Sequence, residues 1–176
     1  QHYEYYLYFY EMNLLKFLLF PVAALYGIVI FFRNGLYEIG ILPSKEFETG
    51  VITIGNLSTG GTGKSPMTEY LIRMLKDKFP IAVLSRGYNR HTQGFLIAGK
   101  DSTSFQIGDE PLQFKKKFPK MIVSVDENRK RGIKILLSQF PELKVVLLYD
   151  AFQHRRVKSG LNILLTDYNK MFYDDF

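Results

Sequence analysis

The sequence predicts an α/β protein in which helices flank a parallel sheet, with one apolar helix ahead of that core. Three observations predict this fold class. From residue 51 onward, short apolar runs alternate with helix-period patterns, which is typical of a parallel sheet covered on both faces. A glycine-rich turn joins the first apolar run to the first helical pattern. A long uncharged stretch precedes both.

Length and composition narrow the possible classes of protein. The 176 residues suffice for one globular domain with additions, and a hydrophobic content of 47% is ordinary for a folded chain. The chain has no cysteine and three histidines, so disulfides, thiolate metal sites and a histidine-rich metal centre are not expected. A formal net charge of +6 favours anionic partners, namely phosphate-bearing ligands, anionic lipid or nucleic acid.

The N-terminal part divides into two predicted segments. Residues 1–11 are rich in tyrosine, show no periodic pattern and are followed at once by Met12, so we expect them to lie upstream of the natural start. Residues 12–33 form the predicted apolar helix, with a stretch free of charge between Lys16 and Arg33. As a helix, that stretch is about 24 Å long. It is shorter than the hydrocarbon core of a bilayer, which is about 30 Å thick and takes roughly 20 helical residues to cross. Docking on a membrane surface is the preferred interpretation; a buried core helix, a spanning helix and a signal peptide are the alternatives.

The third predicted segment, residues 34–176, carries the alternating pattern. Five apolar runs are predicted strands: Val51–Ile54, Ile81–Leu84, Met121–Val125, Val145–Leu148 and Leu161–Leu165. One predicted helix has apolar residues at helical spacing from Met67 to Leu75 and is stopped by Pro80. A second predicted helix runs from Arg129 to Phe140.

The stretch GNLSTGGTGKSP lies between the first predicted strand and the first predicted helix. Gly60, Gly61 and Gly63 permit positive φ and leave no Cβ in the way, so successive N–H groups can turn inward around a phosphate. Lys64 can reach the β- and γ-phosphates of a nucleotide, and Ser65 offers a hydroxyl to Mg²⁺. The helix that begins there adds the positive end of its dipole. The sequence therefore predicts a P-loop, and with it a P-loop NTPase-like sheet.

One position departs from the strict P-loop pattern. G-x-x-x-x-G-K-[ST] has glycine at the position that Ser58 occupies here. A glycine-rich turn with an incidental lysine is the alternative interpretation. The order strand, loop, helix favours a nucleotide site.

Carboxylates follow two of the predicted elements. Asp150 comes directly after the run VVLLY, where P-loop enzymes place a carboxylate that holds Mg²⁺ directly or through water. A turn residue is the alternative for Asp150. Asp109 and Glu110 lie in IGDEPL, where one carboxylate could serve as a base toward a hydroxyl and the other could face a metal. An ordinary acidic helix start is the alternative for this pair.

Four motifs in this order and spacing resemble the tetraacyldisaccharide 4′-kinase family, the lipid A 4′-kinases. They are ITIGNLSTGGTGKSP, VLSRGYNR, GDEP and DAFQHRRVKSGLNILLTD. The resemblance runs from about Met12 to the last residue and includes the apolar helix. The family uses serine or threonine at position 58, so the departure noted above is expected for a member.

The resemblance implies roles for particular residues. ATP would be bound by Ser58, Thr59, Gly60, Gly61, Thr62, Gly63, Lys64 and Ser65. Asp109 would be the catalytic base, with Lys64 also taking part in catalysis, and Mg²⁺ would be held by Ser65, Glu110 and Asp150. Arg86, His154 and Arg155 would lie around the phosphates and the sugar head group of the substrate.

The resemblance also implies an activity and a location. Family members transfer the γ-phosphoryl group of ATP to the 4′-hydroxyl of a tetraacylated glucosamine disaccharide 1-phosphate, the lipid A precursor. They act at the cytoplasmic face of the bacterial inner membrane. The acyl chains of that substrate stay in the bilayer, so a peripheral enzyme anchored by an apolar helix suits the reaction.

The chain departs from the family pattern in two respects. The family usually has two aspartates before the AFQHR-type segment, and Tyr149 stands at the first of them here. Mg²⁺ often relies on one or two carboxylates plus phosphates, so we expect a weakened metal site rather than a lost one. The chain also stops near the middle of a family member, so we expect the C-terminal lobe to be absent.

Two other functions are alternatives to a kinase, a membrane-associated P-loop GTPase and a nucleotide-binding module. A P-loop GTPase would need Asn-Lys-x-Asp and Asp-x-x-Gly segments, and the sequence contains neither. A nucleotide-binding module without turnover is an alternative from a different class. A nucleic-acid partner would rest on charge alone, because a lysine run such as 115–117 is usually a solvated helix face, and none is expected.

Overall fold

The computed structural model describes residues 2–56 and 61–167, with side chains from Phe20 onward. It divides into two compact units, one ending at Pro43 and the other beginning at Ser44.

The first unit consists mainly of one helix, α1, which runs from His2 to Glu38. It covers the whole of the predicted apolar segment 12–33 and extends beyond it at both ends, and its backbone continues through Pro21. The stretch Phe20–Glu38 is long and apolar enough to cross a membrane by length and composition, with a mean hydropathy of 1.3. Apolar side chains along it are exposed, among them Phe31 at 74%. Membrane helices and signal sequences near an N-terminus share this length and composition.

The second unit is a six-stranded sheet with helices on both faces. Its strands are β1 (Gly50–Asn56), β2 (Ile81–Ser85), β3 (Leu96–Ile97), β4 (Ile122–Val125), β5 (Val145–Tyr149) and β6 (Leu161–Leu165). Its helices are α2 (Lys64–Leu75), α3 (Ser104–Ile107), α4 (Asp109–Lys117) and α5 (Arg129–Gln139). The strand order is β3-β4-β2-β5-β1-β6.

All neighbouring strands are parallel except β3, which pairs antiparallel with β4 at one edge. The predicted α/β fold with a helix-flanked parallel sheet is thus confirmed, and each of the five predicted strands is present. The short strand β3 was not predicted. Since the parallel strands run in one direction, their carboxyl ends meet at one edge of the sheet, which we call the carboxyl edge.

Successive side chains of a strand point to opposite faces of the sheet, so the strands contribute to an apolar core on each face. In β2, Ile81 and Val83 face a cluster that includes Ile72 of α2 and Phe114 of α4. Ala82 and Leu84 face the opposite cluster, which includes Ile133 of α5. These residues are 5% exposed or less. Burial on both faces explains why the strands read as continuous apolar runs rather than as alternating ones.

Candidate functional site

The P-loop leaves β1 at the carboxyl edge and returns as α2. Its middle residues Ser58, Thr59 and Gly60 lie outside the described residues, so their predicted contacts with ATP stay predictions. Gly63 caps the helix with φ 84°, a left-handed conformation that glycine adopts at no steric cost. Its carbonyl accepts a hydrogen bond from the Met67 N–H at 3.0 Å, which starts α2 directly after the loop. The hydroxyl of Thr62 is buried and has no hydrogen-bond partner among the described residues.

Lys64, the first residue of α2, is held by two strand ends. Its ammonium donates to Asn56 Oδ1 at 2.8 Å and lies 3.2 Å from Asp150 Oδ1. Asn56 ends β1, and Asp150 follows β5, the strand paired with β1. The Lys64 side chain is 18% exposed and that of Asp150 is 55% exposed, so the charged group is fixed but open to solvent. The structure therefore brings together the predicted residues Lys64 and Asp150. Asn56 was missed, although its place just before the loop could have identified it.

Ser65 is tied to the end of β5 through Tyr149. The Ser65 Oγ and the Tyr149 Oη lie 2.9 Å apart. The tyrosine is 5% exposed, and its ring packs edge-on against Phe114 with centroids 5.3 Å apart. Burial raises the pKa of Tyr149; the negative charges of Glu110 and Asp150 raise it further, while the Ser65 hydrogen bond partly offsets them. The phenol is thus neutral near pH 7, and Glu110 and Asp150 both act on it electrostatically.

The loops that carry SRGY and GDEP pack against each other at two glycines. A Cβ on Gly87 would lie 2.8 Å from the Ile107 carbonyl oxygen, and one on Gly108 would lie 2.9 Å from the Tyr88 carbonyl oxygen. Both glycines have positive φ, 73° and 90°. No other residue type fits this close approach without displacing backbone. Asp109, which follows Gly108, is thereby fixed beside the loop of Arg86.

Asp109 and Glu110 occupy the first turn of α4. Asp109 is exposed and Glu110 is half-buried. The N-terminal turn of a helix is a favourable place for carboxylates because of the helix dipole, and Asp109 is open to an incoming hydroxyl. The pair does form an acidic helix start, which was the alternative from the sequence. Asp109 is also accessible to solvent, so a role as a base stays a prediction.

Arg129 joins the ends of β4 and β5 and was not predicted. Its guanidinium donates to the Asp126 carbonyl at 2.6 Å, to that of Tyr149 at 3.3 Å and to that of Asp150 at 3.4 Å. It is 1% exposed. Burial and the nearby charge of Arg86 lower the pKa of Arg129 to about 10, so it stays protonated at neutral pH. These bonds help to hold Asp150 at φ 50°, a strained conformation for a residue other than glycine.

The acidic pair after β4 serves the fold rather than the site. Asp126 is fully buried and accepts two hydrogen bonds from Arg131, at 2.9 and 2.7 Å. Glu127 accepts from Arg90; burial raises its pKa, but the hydrogen bonds and the charge of Arg90 outweigh burial, so the pKa of Glu127 is lowered overall. Both carboxylates are engaged by arginines, so we assign neither to ligand binding.

The segment after β5 carries His154 and Arg155 in tight backbone turns. The His154 N–H donates to the Ala151 carbonyl at 2.9 Å, and the Arg155 carbonyl accepts from the Ser44 hydroxyl at 2.5 Å. Both side chains are half-buried. Their predicted contacts with substrate, like that of Arg86, stay predictions.

The carboxylates near the P-loop suit a magnesium ion that the nucleotide helps to hold. Within residues 2–56 and 61–167, no group of three or more His, Cys, Asp or Glu side chains is placed to bind a metal. Mg²⁺ usually binds through one or two carboxylates, water and substrate phosphates. Ser65, Glu110 and Asp150 fit that pattern, and the nucleotide's phosphates would complete the coordination. Their role as ligands remains a prediction.

A groove lies at the opposite edge of the sheet. Its volume is about 570 Å³, and it is lined at the amino ends of β2, β4 and β5 by residues such as Phe79, Phe118 and Met121. Its lining mixes apolar side chains with charged ones such as Lys76, Lys120 and Glu142, and no predicted site residue lines it. Volume alone does not favour phosphate binding there, because phosphate is bound by helix N-termini and cations, and the start of α2 and Lys64 lie at the carboxyl edge.

The fold and the geometry at the carboxyl edge define a P-loop α/β protein. Residues 15–176 match the family model described as tetraacyldisaccharide-1-P 4'-kinase, LpxK. The chain belongs to this family, and the resemblance inferred from the four motifs is confirmed.

Individual relatives agree with the family assignment. A tetraacyldisaccharide 4'-kinase from Bacteroides thetaiotaomicron is 57% identical over 158 residues, which are 89% of this chain and 42% of the relative. One from Flavobacterium johnsoniae is 53% identical over 165 residues, 94% of this chain and 48% of the relative. The crystal structure of "apo" form LpxK from Aquifex aeolicus in complex with ATP superposes with a TM-score of 0.77 at 40% identity. The superposed region covers 85% of this chain and 48% of the Aquifex aeolicus chain. The chain thus spans less than half the length of these relatives.

Proposed function

We propose that this chain is the ATP-binding part of a Mg²⁺-dependent kinase that phosphorylates the 4′-hydroxyl of a tetraacylated glucosamine disaccharide 1-phosphate in lipid A biosynthesis. The observation that carries the proposal is the position of Lys64 between Asn56 and Asp150, directly after the P-loop. The names of its relatives and the ATP complex of one of them support the substrate class and the nucleotide.

The proposed reaction uses charge neutralisation and one proton transfer. Lys64 and the N–H groups of the loop neutralise the phosphates of ATP, which is most of what phosphoryl transfer requires. Asp109 takes the proton of the 4′-hydroxyl as that oxygen bonds to the γ-phosphorus, and the bond to the β-phosphate oxygen breaks to release ADP. Bound Mg²⁺ would supply further positive charge on the phosphates, held by Ser65, Glu110 and Asp150.

The part of the site that would bind the lipid substrate is assigned from the SRGY and GDEP loops, which pack together at Gly87 and Gly108. Arg86 follows the end of β2 at the carboxyl edge, and its loop packs on the one that presents Asp109. In the proposal, Arg86, His154 and Arg155 bind the phosphates and the sugar head group. Guanidinium groups suit this task because they bind phosphate through two parallel hydrogen bonds.

The proposed location is the cytoplasmic face of the bacterial inner membrane, where the enzyme is peripheral. The exposed apolar side chains of α1 support membrane contact. No nucleic-acid partner is proposed, because part of the lysine run in α4 is used within the fold. The Lys115 ammonium donates to the Pro119 and Met121 carbonyls, and Lys117 pairs with Glu69 at 2.5 Å.

Substitution of the proposed base tests the reaction. In a protein of the family's full length that carries this chain, Asp109→Asn should lower kcat by about 10² or more, because general bases contribute about that much. Its affinity for ATP should change little, since Asp109 acts on the acceptor hydroxyl. Transfer of label from γ-³²P-ATP to the lipid disaccharide gives the rate, and calorimetry gives the affinity.

Asp101→Asn is the matched control, because Asp101 is also exposed and lies in a turn of the same unit. ATP binding without any transfer by the unaltered protein would favour the nucleotide-binding module. Equal rates for Asp109→Asn and Asp101→Asn would refute the assignment of the base.

A further inference from the structure

The P-loop serine has an unusual partner in this chain. A hydroxyl can use its lone pairs and its proton at the same time, so a serine that faces a cation can still donate to a neighbouring acceptor. The neighbour of Ser65 is the phenol of Tyr149, at 2.9 Å. The Tyr149 hydroxyl is therefore a neutral group that can accept a hydrogen bond from Ser65.

Tyr149 is held rigidly enough to orient another group. It is the last residue of β5 and is in register with Ile54 of β1, the strand that leads into the P-loop. Its ring is buried against Phe114, with an interplanar angle of 72°. Its carbonyl accepts a hydrogen bond from Arg129. Ring and backbone are both fixed, so the hydroxyl has a defined position.

From these contacts we infer that Tyr149 is a positioning residue, which orients the Ser65 hydroxyl so that its lone pairs face the Mg²⁺ that accompanies ATP. The inference rests on the proposed nucleotide site and goes beyond it by assigning a role to Tyr149. In this arrangement Ser65 donates its proton to the Tyr149 Oη, which leaves the lone pairs of the serine oxygen for the cation.

A purely structural role would have a different consequence. The Ser65–Tyr149 bond also fastens the start of α2 to the end of β5, so its loss could loosen the loop with or without a metal. In that case, nucleotide affinity would fall equally in Mg²⁺ and in EDTA. Positioning of Ser65 toward the cation affects only the gain in affinity that Mg²⁺ brings.

The experiment measures ATP affinity by calorimetry in Mg²⁺ and in EDTA for the unaltered chain and four variants. Tyr149→Phe removes the hydroxyl and keeps the ring against Phe114. We expect it to reduce the Mg²⁺-dependent gain in affinity by roughly three- to tenfold and to leave affinity in EDTA unchanged, as expected for one lost hydrogen bond. Tyr70→Phe is the matched control, since Tyr70 is an exposed tyrosine on α2. Thermal unfolding verifies that each variant is folded.

Ser65→Ala and the double variant complete the test. If Tyr149 acts through Ser65, Tyr149→Phe should have no further effect in the Ser65→Ala chain, because the group that it positions is gone. An equal fall in Mg²⁺ and EDTA, an unchanged Mg²⁺-dependent gain, or additive effects in the double variant would each overturn the inference. Failure of the unaltered chain to bind ATP at all would instead refute the proposed nucleotide site.

Discussion

Removal of the Lys64 ammonium should weaken ATP binding far more than it weakens the fold. The ammonium lies 2.8 Å from Asn56 Oδ1 and 3.2 Å from Asp150 Oδ1, at the carboxyl edge of the sheet. A charge-assisted hydrogen bond to phosphate contributes about 1.5–3 kcal/mol. Lys64→Ala should therefore raise the Kd for Mg-ATP by roughly 10- to 150-fold, since about 1.4 kcal/mol corresponds to tenfold.

The effect on stability should be small by comparison. Asp150, the charged partner, is 55% exposed, so water already screens the pair and takes the place of the ammonium. Ion pairs of this kind contribute about 0–1 kcal/mol. Calorimetric titration with Mg-ATP and thermal unfolding separate the two effects. Lys76→Ala, at the other end of the same helix and also one positive charge fewer, is the control. An unchanged Kd for Lys64→Ala would refute the P-loop assignment.

Two further predictions concern α2 and α1. Hydrogen bonds from Lys117 and Gln113 outweigh burial and lower the pKa of Glu69 below its ordinary value of 4.5. Its contribution to stability should be complete above about pH 4.5 and be lost as the pH falls through the lower folded pKa. The drop in Tm on acidification should be smaller for Glu69→Gln than for the exposed control Glu142→Gln, and equal drops would show that Glu69 is not involved. Deletion of residues 12–32 should move the protein from sedimented membranes to the supernatant and preserve ATP binding, because the second unit has its own core. Loss of ATP binding with aggregation would show instead that this helix is part of the core.

The sheet could be predicted from sequence because burial on two faces leaves a strong signal. Runs such as Val145–Tyr149 are apolar at every position and are bounded by polar residues. Both the presence of a strand and its position in the chain can therefore be predicted. The two-residue strand β3 and the four-residue helix α3 carry too few residues for any period to appear. Their formation depends on neighbours distant in the chain, such as the pairing of Leu96 with Val125.

The sequence predicted those parts of the candidate site that lie in recognisable motifs. Asp150 was predicted as a Mg²⁺ carboxylate because it follows a strand downstream of the P-loop, and it lies 3.2 Å from the Lys64 ammonium in the structure. The roles of Tyr149 and Arg129 were not predicted, since each depends on side-chain orientation. A tyrosine in place of a carboxylate suggested the loss of one metal ligand, and the sequence did not indicate that its hydroxyl would contact Ser65.

A crystal structure with a non-hydrolysable ATP analogue and Mn²⁺ in place of Mg²⁺ tests the central claim most directly, because anomalous scattering locates the cation. We expect the triphosphate within hydrogen-bond distance of Lys64 Nζ, and the cation on the hydroxyl of Ser65. A triphosphate seated in the groove of about 570 Å³ at the amino ends of β2, β4 and β5, or a cation remote from Ser65, would contradict the account.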